Sequence, residues 1–280
     1  MAQTFLQSTP LRRYPMVWIG GIVIALIALV SICAPFLGTT DPLAMSVTAR
    51  MKAPDAQYWF GTDAYGRDLY SRVLYGGRTS LAVGFAVAIL ATGIGLVIGL
   101  FAGYSNTTDG LVMRIMDGLM AIPAILLAIA LSAVLGGSLL TVIIAITVAE
   151  VPRVARLIRG LVLSLRGRMF VEAALVSGVS QPVVIMRHIL PNTIAALVVQ
   201  ATYVFASAML LEAILSFIGA GIPPSIPSWG NIIAEGRTLW QIKFHIILYP
   251  ALFLSCAVFA INIFGDGLRD RLDQRGLKHQ

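Results

Sequence analysis

The sequence predicts an all-α fold: a polytopic membrane helical bundle with six transmembrane helices. Three observations lead there. Mean hydropathy is +0.87, with 58% hydrophobic and only 12% charged residues over 280 positions, too apolar for a water-soluble domain of that size. The apolar residues gather into runs that approach the roughly 20 residues a helix needs to cross the hydrocarbon core. The formal net charge of +7 lies between those runs and at the C-terminus, where the positive-inside bias of a bilayer protein puts it, so nucleic acid is excluded as a partner.

The six segments are 16–37, 80–104, 111–136, 138–152, 193–219 and 246–265. The first follows Arg12 and Arg13 like a signal peptide. It is longer than a secretory h-region and lacks a small-x-small cleavage pattern, and Ile32 is too bulky for a lipoprotein signal at Cys33, so it reads as a retained helix. In the second, Gly95, Gly99 and Gly103 form a small-xxx-small row that admits a close neighbour, either within this chain or across a subunit interface. In the third, Arg114 and Asp117 stand one turn apart and are expected to pair, while Pro123 is expected to kink the helix. The fourth, SLLTVIIAITVAEVP, is short, and Arg153, Arg156 and Arg159 after it call for an aqueous side.

An even number of spans puts both termini on one side. With that side cytoplasmic, 13 of the 20 Lys and Arg are cytoplasmic, which supports the orientation. The division follows: 1–79, a transmembrane helix plus an external (periplasmic) amphipathic segment; 80–265, the core transmembrane domain with its cytoplasmic loop 153–191; and 266–280, a cytoplasmic tail. Within 60–79, Leu69, Val73 and Leu74 share one face while Arg67, Asp68, Arg72 and Arg78 lie elsewhere, an amphipathic helix expected on the outer membrane surface. Tyr65, Tyr70 and Tyr75 suit the interface.

The loop 153–191 is too charged to span. Glu172, Ala173 and Ala174 favour helix, and Gly178 is a natural stop. Ser180 or Gln181 can cap a second helix with Pro182 in its first turn, closed by Pro191 at the mouth of the fifth span. Two short helices with a bend are expected to stand out of the membrane as a docking knob. The small alanines leave a shallow surface, and Glu172 offers an acceptor.

These residues resemble the cytoplasmic "EAA" loop of binding-protein-dependent ABC importer permeases: Glu-Ala-Ala, three residues, Gly, nine residues, a hydrophobic position, one residue, Leu-Pro. Glu172, Ala173, Ala174, Gly178, Leu190 and Pro191 fall at those spacings. His188 replaces the usual isoleucine and Asn192 follows, as in the peptide and nickel branch. FGTDAYGRDLYSRVLYGGRTSL (60–81), LSFIGAGIPPSIPSWG (215–230) and FGDGLRDRLDQRG (264–276) are similar to segments of the dipeptide and oligopeptide "C" permeases, with Gln274 where a proline is more usual.

The resemblance implies the type I ABC importer permease fold, the bacterial inner membrane, and alternating access driven by two separate nucleotide-binding ATPase subunits. It implies a second, related permease chain and an external solute-binding protein, which the 60–79 segment could contact if it is not simply a cap anchoring the second span. Peptides are the implied cargo, with nickel or another small solute as the alternative. ATP and Mg belong to the partner subunits.

Glu212, the single acidic residue assigned to a span interior, is read as structural pairing, cavity or pathway lining, or substrate contact. No cofactor, metal or catalytic residue is assigned. His188, His245 and His279 are too scattered for a metal site. No phosphate-binding Gly-x-x-x-x-Gly-Lys-Ser/Thr loop occurs, nor any Ser-x-x-Lys, Gly-x-Ser-x-Gly or His-Glu-x-x-His pattern, which argues against an enzyme. An ungated channel would not need the knob.

Overall fold

The computed structural model describes residues 15–277; Arg12, Arg13, Lys278 and His279 lie outside the described residues. The helices are α1 (Pro15–Ile32), α2 (Leu69–Tyr104), α3 (Asn106–Ala121), α4 (Ala124–Leu135), α5 (Leu139–Arg166), α6 (Met169–Val176), α7 (Gln181–Val184), α8 (Leu190–Ile218), α9 (Trp229–Gly236) and α10 (His245–Leu277). A π-helical segment, Ile185–Ile189, joins α7 to α8. Among the described residues four helices are long and apolar enough to cross a membrane, or five if the bent pair α3–α4 counts as one span.

Two cores organise the bundle. One joins α2, α5 and α8 with α3, α4 and α6 around Val87, Ile146, Ile158 and Leu215. The other joins α1, α9 and α10 to α2 and α8 around Leu69, Trp229 and Ala257. Trp229 is completely buried, and its Nε1 donates to the Val73 carbonyl at 2.9 Å, so the largest side chain of the second core leaves no polar atom unpaired.

The glycine row of α2 packs within this chain. A Cβ at Gly95, Gly99 or Gly103 would lie 2.6, 2.6 and 2.7 Å from the Cβ atoms of Val154, Ile158 and Val162 on α5. The missing side chains let branched residues of α5 seat directly on the α2 backbone.

Several expectations need correction. The 111–136 segment is not one kinked helix: α3 and α4 meet at 91°. Pro123 drives its predecessor Ile122 into the extended region (φ −92°, ψ 128°), and the helix stops there rather than bending. Asp117 pairs with Arg156 on α5 instead of with Arg114. The helix after the fourth apolar run does not end at the arginines but runs on to Arg166. Arg153 and Arg159 find carboxylates at Glu150 and Asp109 and stay partly exposed. Glu150, only 1% exposed, also accepts from Ser207 Oγ at 2.7 Å; it is a second acidic residue inside the helical core.

The 60–79 segment is no surface helix. Residues 60–68 form a loop closed by a Thr62–Asp68 bridge, and α2 starts at Leu69 with Asp68 as its N-cap. Arg67 and Arg72, expected in solvent, are 4% and 0% exposed. Asp63 Oδ2 accepts from Arg67 Nε and from Arg72 Nη1, both at 2.6 Å. Glu235 of α9 accepts from both arginines as well. Two cations and two carboxylates thus cancel, and every pair is a hydrogen bond, which is the condition under which buried charge is tolerated.

Candidate functional site

The candidate coupling residues assemble where α5 ends. Gly167 caps α5, one residue intervenes, and α6 carries Glu172 in its first turn, where the partial positive charge of a helix N-terminus favours a carboxylate. α6 ends in a Schellman motif: the Val179 N–H donates to the Ala174 carbonyl at 3.1 Å and the Gly178 N–H to the Leu175 carbonyl at 3.0 Å. Gly178 has φ +80°, and a Cβ there would meet nothing within 4 Å. Its glycine is required by backbone geometry alone, because a side chain is strained in the left-handed region.

Ser180 occupies the N-cap of α7 by backbone conformation, without a side-chain cap bond, and Pro182 lies in the first turn. The chain then departs from expectation at Pro191. That proline does not close a separate helix: 181–218 is one continuous apolar helix. An interior proline lacks an N–H and its ring crowds the carbonyl four residues back. Here the π segment Ile185–Ile189 widens the helix just ahead of it, the local adjustment that relieves such crowding. Asn192 Nδ2 donates to the His188 carbonyl at 2.6 Å, so an amide side chain reaches back to a carbonyl in the disturbed turn.

The structure brings both halves of the motif together. Phe170 of α6 and His188 of the π segment stand 6.4 Å apart, ring centroid to ring centroid. Val171, Val184 and Ile189 are fully buried and pin the knob to the bundle. Around them the surface is bare: Met169, Val176 and Met186 are 85%, 90% and 62% exposed. Glu172 and Ala173 are exposed, Ala174 is half-buried against the core, Leu190 is half-buried, and Pro191 and Asn192 are exposed. Glu172, Leu175 and Gln181 also line an open cleft of about 510 Å³ together with Tyr104, Ser105 and Arg166.

Glu212 lies at the other end of α8, apart from this cluster, and is completely buried. Its carboxylate accepts from Ser216 Oγ at 2.9 Å, Ser228 Oγ at 2.8 Å and Ser80 Oγ at 3.3 Å. Ser228 Oγ and Ser80 Oγ in turn accept the Asn231 and Trp229 N–H groups that begin α9. Two hydroxyls thereby relay the α9 N-terminus onto the carboxylate, joining α2, α8 and α9. Sequence reasoning passed over Glu150 and the Asp63–Arg67–Arg72–Glu235 cluster. The signal for Glu150 was present, a carboxylate three residues before Arg153 on one helix; nothing in sequence ties Glu235 to residues some 160 positions earlier.

Residues 95–277 match the family of binding-protein-dependent transport system inner membrane components. This chain belongs to that family. The permease is similar to "Probable peptide ABC transporter permease protein y4tQ" of Sinorhizobium fredii, 49% identical over 96% of this chain and 92% of the relative. It is 40% identical to "Dipeptide transport system permease protein DppC" of Alkalihalophilus pseudofirmus, over 95% of this chain and 88% of that one. "Glutathione transport system permease protein GsiD" of Escherichia coli is also 40% identical, over 94% and 88%. The permease shares its fold with an inward-facing structure of the MetNI methionine ABC transporter: TM-score 0.58, 22% identity, 69% of this chain and 93% of that chain. It is a multi-pass inner-membrane protein with a type I ABC permease fold.

Proposed function

We propose that this permease carries peptides into the cytoplasm by alternating access, driven by two ATPase subunits that dock on the α6–α7 knob. One observation carries the reading: a Schellman-capped pair of short helices, anchored by Val171, Val184 and Ile189, exposes Met169, Val176 and Met186 beside an exposed Glu172. Exposed methionine and valine on a rigidly capped knob suit a groove in another protein. Glu172, Ala173, Ala174 and Gly178 form its docking half, and His188, Leu190, Pro191 and Asn192 the turn that feeds it into α8.

The orientation that goes with this puts the knob, both termini and loop 153–191 in the cytoplasm. The six crossings are α1, α2, α3 with α4, α5, the α7–α8 helix, and α10. A second, related permease completes the pathway, and an external solute-binding protein delivers the cargo. Peptide cargo rests on relatives named for peptide, dipeptide and glutathione transport. The chain holds no phosphate-binding loop, so ATP hydrolysis belongs to the partner subunits. Nucleotide drives the change only through contacts that differ between the two states.

The test is ATP-dependent peptide uptake into membrane vesicles. Glu172→Lys and Gly178→Asp lower uptake at least tenfold while membrane insertion is unchanged, and an ATPase co-purifies with the wild-type chain. Wild-type uptake in both variants refutes the docking role.

A further inference from the structure

Where α1 ends, α1, α2 and α8 leave a groove that the transport reading does not use. Its volume is about 710 Å³, and its walls include Ile24 and Ala28 of α1, Leu81, Ala82 and Phe85 of α2, and Phe205 of α8. Ile24 and Ala28 are one helical turn apart, as are Leu81 and Phe85, so each wall is an apolar track along its helix. From Ile24 to Ile32 the α1 wall extends about 12 Å at ~1.5 Å per residue.

Arg78 stands at the end of this groove nearest the α1 C-terminus. Its Nε donates to the Ser31 carbonyl at 2.7 Å and its Nη2 to the Ile32 carbonyl at 2.6 Å. These are among the last carbonyls of α1, which have no partner within the helix. The guanidinium centre lies 4.7 Å from the Tyr75 ring centroid. The side chain is therefore held in one place. A guanidinium has five N–H donors, and these two bonds leave three. Carboxylates within ion-pair reach are found at Arg67, Arg72, Arg153, Arg156 and Arg159, whereas Arg78 has none among the described residues.

We infer that this groove binds one anionic phospholipid, an acyl chain between α1, α2 and α8 and its phosphate on the Arg78 guanidinium. The site pairs an apolar trench with an unpaired cation at the end of a membrane helix, the depth at which lipid phosphates lie. A phosphate accepts from a guanidinium fork bidentately, and an acyl chain brings no polar atom that needs a partner. A neighbouring helix that brought only apolar side chains into the groove would fill the trench but leave three charged N–H groups without acceptors. The outer leaflet follows from the orientation proposed above; binding itself does not depend on it.

Native mass spectrometry of the delipidated full chain, in the complex it forms, decides the matter. The titrants are phosphatidylglycerol, phosphatidylcholine with the same acyl chains, and dihexanoyl phosphatidylglycerol. The wild type retains one phosphatidylglycerol at least tenfold more tightly than either of the others. Arg78→Gln brings phosphatidylglycerol down to the phosphatidylcholine level. Because that variant also uncaps α1, Ala82→Trp provides an independent arm: Ala82 is exposed in the groove, so the added ring fills the trench, and retention drops at least tenfold. A photo-reactive residue at position 85 labels lipid. No preference for phosphatidylglycerol in the wild type, equal retention by Ala82→Trp, or labelling of a second polypeptide from position 85 overturns the proposal.

Discussion

At Gly178 a single backbone angle decides whether α6 ends where it does. The residue adopts φ +80° with open space around it, so a substitution there tests conformation without packing. A non-glycine residue in the left-handed region costs about 1–2 kcal/mol, least for asparagine and most for a β-branched side chain. Uptake is predicted to fall in the order Gly178→Asn, Gly178→Ala, Gly178→Val. Equal activity of the asparagine and valine variants would mean that the cap geometry is irrelevant. Arg72 presents the opposite case, a fully buried charge held by Asp63 and Glu235. Arg72→Met strands two carboxylates on Arg67 alone, and removing one member of a buried pair costs about 3–5 kcal/mol. Thermal unfolding in detergent should show a much lower Tm for this variant. Arg72→Lys should fall between, because lysine keeps the charge but not the fork. Glu212 allows a graded comparison. Glu212→Gln keeps an acceptor for the serines, while Glu212→Leu orphans three hydroxyls at about 1–3 kcal/mol each, so the leucine variant is predicted to be clearly less stable.

The glycine row, among the helices, specifies one contact. Gly99 would place a Cβ 2.7 Å from the Ala155 carbonyl oxygen as well as against Ile158, so α5 has no flexible side-chain end to move aside. Gly99→Leu is predicted to destabilise by about 1–3 kcal/mol through overpacking, whereas Gly93→Leu, with nothing within 4 Å, stays near wild type; expression level and Tm of the two variants check the contrast. The elements legible in sequence are those whose signal is local. The apolar runs of α1, α2, α8 and α10 give their helices directly, and Gly178 and Pro182 punctuate the knob as read. What was not legible depended on distant partners. Arg156 and Arg159 have their counter-charges on Asp117 and Asp109, 39 and 50 residues away, and the 60–79 segment suggested a surface because its counter-charge, Glu235, sits on α9. Pro123 was visible, but whether a proline kinks a helix or ends it depends on how the residues after it pack. Pro191 failed for a different reason: a π turn leaves no mark in periodicity. At the candidate site, the helix carrying Glu172 and its stop at Gly178 were legible, while the continuity of 181–189 with α8 did not follow from the pattern.

That continuity bears on the coupling proposed for the knob. Residues 181–218 form one helix, and from Gln181 at the knob to Glu212 at the serine relay it extends about 46 Å at ~1.5 Å per residue. Beyond Glu212, the relay and the Asp63–Arg67–Arg72–Glu235 cluster fasten α9 to α2 and α8. On the proposed docking role, a push on α6 that crosses the 177–180 turn and the π segment would find one continuous helix to carry it to the far side of the bundle. Softening α8 midway should separate motor from gate. Val198→Gly with Val199→Gly, at half-buried or exposed positions on a helix whose knob and relay are untouched, costs about 1 kcal/mol per glycine in helix propensity and introduces a compliant joint. In proteoliposomes with the ATPase subunits and binding protein, this variant should retain most ATP hydrolysis while peptide uptake per ATP falls severalfold. If hydrolysis and uptake decline in the same proportion, α8 does not act as a lever, and coupling must travel through another element that reaches the knob, such as α5, which leads into α6 at Gly167.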